Sequence, residues 1–527
     1  MNTKDFSKMA ILDQGVLQKA ENGRFIVNKD YNLNEARLVV PKGMTIDLNG
    51  GSINNGTLVL DDTLLVGLEK GRLDVNLEGR LRNEIINTST LPYGINSLAN
   101  LNLSGKTVNC DQNESYFNTI ELDGINNDGE SETIINGSNK NFICSNTFFR
   151  IKNGSRNITI HHFNAIAVAT ATEIDFLEMP SSVGVSNIKV LSNHIDSFKI
   201  GVSINGEASV SCHVDNCVVS NNTILNARGT TPNHGYGIHL ANAHNCTISG
   251  NWISNCDRHS IYHAFGDNNT ISGNHIVNHR SNYPIGECGV SYSAIDVARR
   301  STNLTISGNS IVNCYSIGII LASHSPYRET PVPSVIYPEK YGVMDNIHIY
   351  NNSFVSTNNT DSTNGLPSIM VGTELPGSIT SDDLNTYYVN KVEIMNNMFA
   401  RSYTEQMKCI RVVHCRDTKI SGNTFQFNAL TTGHTRELVE FYSQFANLTP
   451  MVSKVSENTF TASNNISNYS VYCVSFQEGV NNSSFNIEVS GNTLTNQYSG
   501  NIQNYKLYKP VGISSIAGTN LTLQTET

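Results

Sequence analysis

One short phrase recurs along this chain and restricts its fold more than any other feature. Each copy has a β-branched run, a pair that is usually Gly-Asn or Asn-Asn, one variable residue, and then an apolar residue, usually Ile or Phe. The clearest copies span residues 245–253, 269–276 and 303–311. With seven weaker copies, the second residue of the pair, the repeat Asn, is Asn193, Asn222, Asn251, Asn274, Asn309, Asn352, Asn397, Asn423, Asn458 and Asn492. Ten copies of one phrase indicate a fold built from stacked units.

The repeat fits a parallel β-solenoid, in which each coil pairs its backbone with the coils above and below at about 4.8 Å. The shortest spacing between copies, 23 residues, is enough for one coil of three short strands, and spacings up to 45 residues leave room for loops. Alternate residues then point into a narrow core, which explains the Ile-x-Ile pattern. Asn tolerates left-handed backbone at coil corners, and stacked Asn side chains form amide ladders.

Composition agrees with a long, weakly charged solenoid. The chain has 527 residues, of which 39% are hydrophobic and only 15% are charged. An ordinary globule of this length would divide into several cores, whereas a solenoid grows by repetition. The low charge excludes a coiled coil and an acidic disordered chain. A net charge of −10 argues against nucleic acid as the main partner, because a phosphate backbone calls for Lys and Arg.

The sequence carries few signals of compartment. No apolar stretch approaches the roughly 18 residues of a membrane span, and residues 1–8 lack the apolar core of a secretory signal. We expect a secreted, periplasmic or cell-surface protein, with any signal sequence absent from the given chain. The 11 Cys are spread without a CxxC pair, so they indicate neither a disulfide framework nor a zinc site.

Residues 155–495 resemble the right-handed parallel β-helix proteins of the pectate-lyase type, whose repeats carry the pattern N-x-x-I-x-x-N-x-I. Residues 38–53 resemble the opening coils of such helices in polysaccharide-degrading enzymes of gut Bacteroidetes and in some phage tail proteins. The resemblance implies an all-β chain, a single-stranded right-handed parallel β-helix with loop insertions on one face. We divide it into an N-terminal cap with opening coils (1–95), a β-helix catalytic domain (96–500) and a C-terminal end cap (501–527).

The expected substrate-binding residues lie on or near three loop insertions. The surplus residues of the longest repeat spacings fall at about 280–294, 323–345 and 356–390 and are rich in Tyr and Arg. Aromatic rings suit sugar stacking, and Arg suits pairing with a carboxylate or sulfate. The residues expected to bind substrate are Tyr236, Arg280, Glu287, Arg299, Arg300, Tyr327 and Arg328.

Aligning the strand that follows each repeat phrase gives a candidate catalytic row. Ile238, Ile261 and Ile295 fall in register as inward residues. The small residues before them, such as Gly237 and Ser260, should then face outward as the floor of a groove. The residues after them also face outward. The predicted catalytic row is His239, Arg258, Tyr262, Tyr292 and Asp296.

The stretch around this row is rich in His, which raises the possibility of a metal site. His spacings of four or five residues on strands and turns do not form the helical HExxH arrangement. By register, His259 and His263 should point inward as hydrogen-bonded core residues. No cofactor is required by the sequence. Some lyases of this fold use Ca²⁺, and a Ca²⁺ site stays open because no tight Asp/Glu cluster marks one.

The favoured function is a polysaccharide lyase that cleaves a uronate-containing, acidic polysaccharide by β-elimination. Such an enzyme must neutralise the sugar carboxylate, remove the C5 proton and protonate the leaving oxygen. Arg258 suits the first step, and His239 or Tyr262 suits the other two, with Tyr292 as a further acid.

Two other functions stay open. A glycoside hydrolase needs two carboxylates about 5 to 9.5 Å apart, and Asp296 has Asp257 or Glu287 as possible partners. A non-catalytic or tailspike-like protein would bind glycans without cleaving them. Tailspike trimers end in a dedicated intertwined region, whereas the tail after residue 505 is short, so we expect a monomer.

Overall fold

The computed structural model describes most of the strands and leaves out the longest insertions. The described residues are 6–116, 118–122, 131–152, 154–168, 174–179, 184–206, 213–229, 235–279, 293–298, 300–314, 317–322, 343–356, 367–372, 388–403, 408–413, 415–429, 435–443, 451–462, 470–478, 485–496 and 505–511. The chain forms two compact units, residues 1–198 and 199–527. No helix among the described residues is long and apolar enough to cross a membrane.

The described part of the first unit contains one α-helix, α1 (Gln14–Leu17), and three short 3₁₀ helices at Phe6–Lys8, Thr88–Thr90 and Gly94–Asn100. Its strands are β1 (Ala10–Ile11), β2 (Arg24–Ile26), β3 (Asp30–Asn32), β4 (Arg37–Val39), β5 (Thr45–Asp47), β6 (Ser52–Val66), β7 (Arg72–Leu81), β8 (Ile85–Asn87), β9 (Leu101–Asn102), β10 (Thr107–Asn109), β11 (Glu114–Tyr116), β12 (Ile120–Leu122), β13 (Thr133–Asn136), β14 (Asn141–Cys144), β15 (Phe149–Ile151), β16 (Arg156–His161), β17 (Asn164–Ala167), β18 (Asp175–Glu178), β19 (Val185–Leu191) and β20 (His194–Asp196).

Parallel pairing organises these strands into coils. Strands β1–β7 and β9 form an N-terminal sheet. After it, the order β8-β10-β13-β16-β19 makes one face, β11-β14-β17-β20 a second and β12-β15-β18 a third. Each third strand along the chain therefore joins the same sheet, which is the connectivity of a coil with three faces.

The second unit repeats this connectivity over more coils. Its strands are β21 (Ile200–Asn205), β22 (Val214–Asp215), β23 (Val218–Ser220), β24 (Thr223–Leu225), β25 (Tyr236–Ala241), β26 (Ala243–His244), β27 (Thr247–Ser249), β28 (Trp252–Ser254), β29 (His259–His263), β30 (Gly266–Asp267), β31 (Thr270–Ser272), β32 (His275–Val277), β33 (Ser293–Ala298), β34 (Ser301–Ser307), β35 (Ser310–Val312), β36 (Ile317–Ala322), β37 (Met344–Tyr350), β38 (Ser353–Ser356), β39 (Ile369–Val371), β40 (Val389–Met395), β41 (Met398–Tyr403), β42 (Ile410–Val413), β43 (Asp417–Ser421), β44 (Thr424–Ala429), β45 (Thr435–Ser443), β46 (Met451–Ser456), β47 (Thr459–Ala462), β48 (Ser470–Glu478), β49 (Phe485–Ser490), β50 (Thr493–Asn496) and β51 (Tyr505–Val511).

Three parallel sheets form the faces of the second unit. Sheet 1 contains β22, β23, β26, β27, β30, β31, β34, β37, β40, β43, β46 and β49. Sheet 2 contains β24, β28, β32, β35, β38, β41, β44, β47 and β50, and sheet 3 contains β21, β25, β29, β33, β36, β39, β42, β45, β48 and β51. Parallel strands joined by crossovers take the right-handed path. The predicted fold, a right-handed parallel β-helix, is confirmed. The domain boundaries at residues 95 and 500 stay predictions.

A ladder of buried Asn side chains runs through the second unit, as the repeat predicted. The Nδ2 of each ladder residue donates to Oδ1 of the next at 2.8 to 3.0 Å. The ladder consists of Asn222, Asn251, Asn274, Asn309, Asn352, Asn397, Asn423, Asn458 and Asn492, each at most 3% exposed. Every Oδ1 after the first also accepts the backbone N–H of the previous ladder residue, for example Asn274 N to Asn309 Oδ1 at 2.9 Å. The ladder therefore satisfies buried backbone groups at one corner of each coil.

The residue before each ladder Asn explains why the repeat pair begins so often with Gly or Asn. That residue has a positive φ in every coil, for example +57° at Asn221 and +64° at Gly250. Gly adopts a positive φ without steric strain, and Asn does so with less strain than other residues. Position one of the pair turns the chain, and position two forms the ladder.

The inward residues of sheet 3 differ from the predicted register at one position per strand. Ile238 and Ile261 are fully buried, as expected. Gly237, predicted to face outward, faces the core, because a Cβ there would lie 2.9 Å from Ile253 Cγ2. Ser260 is also fully buried, and its Oγ lies 3.2 Å from Nδ1 of the buried His279. The prediction of a small-residue groove floor was therefore wrong, because two successive residues of the strand, such as Ser260 and Ile261, are both fully buried.

Candidate functional site

Three neighbouring strands of sheet 3 bring the candidate site together. His239 on β25 pairs in register with Tyr262 on β29. Tyr262 pairs in turn with Asp296 on β33. Because adjacent coils lie about 4.8 Å apart, these three side chains form one column on the outer side of sheet 3. The alignment made from the sequence predicts the same column.

Aromatic rings pack closely around the first two strands. The Tyr236 ring stacks on the Tyr262 ring, with centroids 5.2 Å apart and planes at 12°. The His239 ring lies 5.1 Å from the Tyr262 ring. The Arg258 guanidinium carbon lies 5.3 Å from the centre of the Tyr236 ring, at the distance of a cation–π contact. These contacts fix the positions of the ionisable groups.

His259 belongs to the site, although the register alignment placed it in the core. Its ring stacks between Tyr236 and Tyr262, at centroid distances of 5.5 Å and 5.3 Å. Its Nε2 lies 3.5 Å from Asp296 Oδ2. The backbone N–H of Ser293 lies 3.2 Å from Nδ1. Nδ1 also lies 3.2 Å from the backbone O of Ser293, so it can accept from the Ser293 N–H or donate to the Ser293 carbonyl. We assign the ring proton to Nε2, where it points at the carboxyl group of Asp296. The inward prediction failed because Ser260 and Ile261 are both buried in the core, so the buried His259 ring lies against Tyr262 instead.

His263, the other residue predicted to point inward, does so. It is fully buried, and its Nε2 lies 3.0 Å from Nδ2 of the core residue Asn269. Burial lowers the pKa of its imidazole to about 4. The ring is therefore neutral at pH 7 and completes the packing of the core.

Burial shifts the pKa values of the ionisable side chains in and beside the outer column. Loss of solvation raises the pKa of Asp296 to about 7, against the lowering effect of the nearby Arg258 charge. Loss of solvation, with Arg258, lowers the pKa of His239 to about 4. Burial likewise holds the pKa of His259 well below its usual range. Near neutral pH the site combines a cationic Arg, two neutral imidazoles and a carboxyl group that is close to half ionised.

Two buried polar atoms in this column lack a protein partner among the described residues. His239 Nε2 and Asp296 Oδ1 are buried and have no hydrogen-bond partner among the described residues. Buried polar atoms of native proteins are normally paired, so such atoms mark a site for water or a ligand. The Asp296 side chain is 13% exposed, and Arg258 and Tyr262 are partly exposed. These three side chains can reach a bound molecule, whereas Tyr236, His239 and His259 are buried behind them.

The remaining predicted site residues do not join this cluster in the described structure. Arg300 lies by sheet 1, where its guanidinium NH2 is 4.0 Å from Asp267 Oδ1. Its role in binding substrate stays a prediction. Six predicted residues lie outside the described residues: Arg280, Glu287, Tyr292, Arg299, Tyr327 and Arg328.

A second charged cluster lies farther along sheet 3. Glu440 is fully buried, with Lys408 Nζ 2.9 Å and Arg411 Nε 2.7 Å from its carboxylate. Arg411 also lies 4.8 Å from the centre of the Tyr442 ring. The sequence gave no sign of Glu440, because a single carboxylate in a strand carries no pattern. Buried and compensated charges of this kind fix local geometry.

No group of three or more His, Cys, Asp or Glu side chains that could hold a metal ion occurs within the described residues. A requirement for Ca²⁺ stays untested, since several acidic residues lie in parts of the chain that the structure does not describe.

One protein-family model matches the part of the chain that contains the candidate site. Residues 181–366 match the family model described as periplasmic copper-binding protein (NosD). The matched range includes β25, β29 and β33 but covers only about a third of the chain. No curated protein matches the sequence.

Several solved structures are similar at low identity. The catalytic unit of the thermostable GH87 alpha-1,3-glucanase from Streptomyces thermodiastaticus strain HF3-3 has 14% identity and a TM-score of 0.43, and the match covers 76% of this chain and 64% of the glucanase. The Dettilon tailspike protein has 13% identity and a TM-score of 0.36, with 80% and 70% covered. The alginate lyase from Paenibacillus sp. str. FPU-7 has 11% identity and a TM-score of 0.28, with 74% and 97% covered. At these values, no activity transfers to this chain.

Proposed function

We propose that this protein is a polysaccharide lyase that cleaves a uronate-containing polysaccharide by β-elimination. The observation that carries the proposal is the cluster on sheet 3, in which Arg258, Tyr262 and Asp296 are partly exposed around buried, unpaired polar atoms. The cluster offers a cation, a phenol and a carboxyl group with a raised pKa, which are the three kinds of group that elimination needs.

Arg258 binds the uronate carboxylate in this proposal. Its charge acts on the whole site, since it lowers the pKa values of Asp296, His239 and His259. A guanidinium can hold a carboxylate through two parallel hydrogen bonds. Neutralising the sugar carboxylate makes the C5 proton more acidic and stabilises the charge that develops when that proton leaves.

Asp296 is the base and Tyr262 the acid. The carboxylate of Asp296 takes the proton from C5, and the released electron pair forms the C4–C5 double bond. The bond between C4 and the glycosidic oxygen breaks, and the phenol of Tyr262 protonates the leaving oxygen. A pKa of about 7 makes Asp296 a stronger base than an ordinary carboxylate while leaving much of it ionised at neutral pH.

This assignment changes the role expected for His239. The sequence suggested His239 as base or acid, but the ring is only 6% exposed and its pKa is about 4. A weak base behind Tyr262 cannot reach C5 without displacing the tyrosine. His239 instead packs on the Tyr262 ring and, with His259, holds the reacting groups in place.

The test is an assay against a panel of uronate polysaccharides, read by the ultraviolet absorbance of the unsaturated product. Wild-type protein should generate that absorbance on at least one polymer, and Asp296→Asn should lose it. Asp267→Asn is a matched control, because Asp267 also lies near a histidine, with Oδ2 3.6 Å from His244 Nδ1, but on sheet 1. New reducing ends without ultraviolet absorbance would overturn the lyase proposal.

A glycoside hydrolase is the second candidate, because a carboxyl group with a pKa near 7 also suits a general acid. The hydrolase needs a second carboxylate. Asp257 accepts a hydrogen bond from the backbone N–H of Gly229 at 3.2 Å, and Glu287 lies outside the described residues. Reducing ends without unsaturation would favour this candidate. Retention of a polymer with no cleavage would favour a binding protein.

The proposal includes a location and a state of assembly. An enzyme for a polymeric glycan must meet its substrate outside the cytoplasm, so we place it as secreted, periplasmic or attached to the cell surface. Its partner is an acidic polysaccharide, and it acts as a monomer because all the proposed reacting groups come from one chain. Size-exclusion chromatography with light scattering measures the mass, and a trimer would favour a tailspike-like protein.

A further inference from the structure

Two cysteines meet at one corner of neighbouring coils in the second unit. On one side of the corner Asp215 pairs with His244, and on the other side Val218 pairs with Thr247. Cys217 and Cys246, which are 29 positions apart, are therefore in register. The spacing of adjacent coils, about 4.8 Å, lies within the Cα separation that a disulfide bond accepts, roughly 4.4 to 6.8 Å.

Direct contacts show that the two side chains interact. Cys246 Sγ accepts the backbone N–H of Cys217 at 3.3 Å, so the sulfur lies against the neighbouring coil. The Cys217 thiol hydrogen-bonds to Cys246 and lowers its pKa, although burial acts in the opposite direction. By contrast, burial raises the pKa of the Cys256 thiol to about 12. Cys246 is therefore a better nucleophile than Cys256, because more of its thiol is present as thiolate.

We infer that Cys217 and Cys246 form a disulfide bond that joins two adjacent coils when the protein is in an oxidising environment. Both side chains are only 1% exposed. The corner residues beside them, Asn216 and Asn245, are exposed and have positive φ. Opening this short corner would expose both sulfurs while the paired strands stay in place. The sequence gives no sign of this pair, because the number of cysteines is odd and no CxxC motif is present.

The reaction uses a small-molecule disulfide, such as oxidised glutathione, as the oxidant. The thiolate of Cys246 attacks one sulfur of that molecule, which forms a mixed disulfide and releases one small thiol. The thiolate of Cys217 then attacks the Cys246 sulfur, which forms the protein disulfide and releases the second small thiol. The two protons lost by the cysteines end on the released thiols. The protein dithiol is oxidised and the small disulfide is reduced.

The bond would close a loop that contains β25, the strand that carries Tyr236 and His239. Cross-linking a loop of this length removes conformations from the unfolded chain and stabilises the folded one. The first coil of the candidate site would then be covalently tied to the coil before it. The inference concerns the scaffold and does not depend on the proposed activity.

The test begins with fully reduced, folded protein incubated with oxidised glutathione. Remaining thiols are alkylated during denaturation, and peptides are mapped by mass spectrometry without reductant. We expect a linked peptide pair that contains Cys217 and Cys246 and disappears on reduction. Cys256→Ser, which removes a buried thiol elsewhere, should keep the link, and Cys217→Ser should lose it. Alkylation of both residues in oxidised wild type, or a link to another cysteine, would overturn the inference.

A second measurement covers the stabilising effect. The thermal unfolding midpoint of the oxidised protein should exceed that of the reduced protein by a few degrees, and Cys217→Ser should abolish the difference. An unchanged midpoint in wild-type protein that carries the disulfide bond would contradict a stabilising role of the bond.

Discussion

The ionisation of Asp296 shows how a few neighbours define a reactive group. Its carboxyl group lies in a partly closed position, with His259 on one oxygen and no partner on the other among the described residues. Burial raises its pKa to about 7, and the positive charge of Arg258 limits that rise. The same carboxyl group in water would have a pKa of about 4 and would be a much weaker base.

The first prediction concerns the pH dependence of cleavage. If Asp296 is the base, it must be ionised, so kcat/KM should rise with pH and level off above a pKa of about 7. Asp296→Asn should lower kcat by a factor of about 100 or more, the usual contribution of a general base. Initial rates between pH 5 and 9 give the profile. A rate that falls as pH rises through 7 would assign Asp296 the role of acid.

The second prediction tests His259 as a positioning residue. His259→Phe keeps an aromatic ring between Tyr236 and Tyr262 but removes the N–H that faces Asp296. Without that donor the carboxylate is less stabilised, so the pKa of Asp296 should rise further and the acidic limb of the rate profile should move to higher pH. His259→Gln, which restores an N–H donor, should move the limb back. Equal profiles for both variants and wild type would limit His259 to packing.

At the scale of strands and corners, the Asn ladder is the main device that holds coils in register. Asn309 Oδ1 accepts both the backbone N–H and the side-chain amide of Asn274 at 2.9 Å. Its Nδ2 donates to Ile271 O at 3.0 Å and to Asn352 Oδ1 at 2.9 Å. Four hydrogen bonds in a fully buried position leave no room for another side chain to replace the amide.

The third prediction follows from these bonds. Asn309→Ala would leave several buried polar groups unpaired, and each costs about 1 to 3 kcal/mol. We expect a loss of at least about 3 kcal/mol in stability, seen as a lower midpoint in chemical denaturation.

A matched control is Asn303→Gly, on the outer side of the neighbouring sheet. Asn303 is exposed, has a positive φ that glycine tolerates, and donates to Asn268 Oδ1 at 2.9 Å. Its loss should change the midpoint little, because water can replace an exposed hydrogen bond. Equal effects of the two substitutions on the midpoint would show that the buried ladder contributes no more to stability than an exposed hydrogen bond does.

At the scale of the whole molecule, buried histidines make the fold sensitive to acid. Burial lowers the pKa values of His239 and His263 to about 4 and that of His279 to about 3. A histidine whose pKa is lower in the folded state stabilises the fold above its unfolded pKa of about 6.5, and that contribution disappears as pH falls towards the folded value. The pKa of Asp296 is raised in the folded state, so its contribution to the stability of the fold increases as pH falls from about 7 to 4, opposite to that of the histidines.

The fourth prediction is that the thermal unfolding midpoint falls steadily between pH 6.5 and 4, because three histidines outweigh one aspartate. Circular dichroism melts at a series of pH values give the midpoint. Asp296→Asn removes this opposing group, so its midpoint should fall more steeply over the same range. A constant midpoint from pH 7 to 4 would mean that these histidines are accessible to solvent in the folded protein.

The sequence predicted the repeat Asn ladder and the column of His239, Tyr262 and Asp296, because both follow from one regular register. It failed where the chain departs from strict alternation. Gly237 and His259 were assigned to the wrong sides, since two successive buried residues in a strand leave no mark in a pattern of period two. Arg300 lies beside Asp267 of sheet 1, and its role in binding substrate stays a prediction.

The repeat by itself determined a parallel fold of stacked coils, since a repeated pair of turn and ladder residues can satisfy the buried backbone only when coils stack. The right-handed sense followed from the resemblance to known β-helix proteins. Only the tertiary structure decided the chemistry of the candidate site. Whether a carboxyl group is a strong base, and which histidine faces it, depends on burial, ring contacts and the direction of a single Nε2–H bond. These properties belong to the packed environment, so no residue type carries them alone.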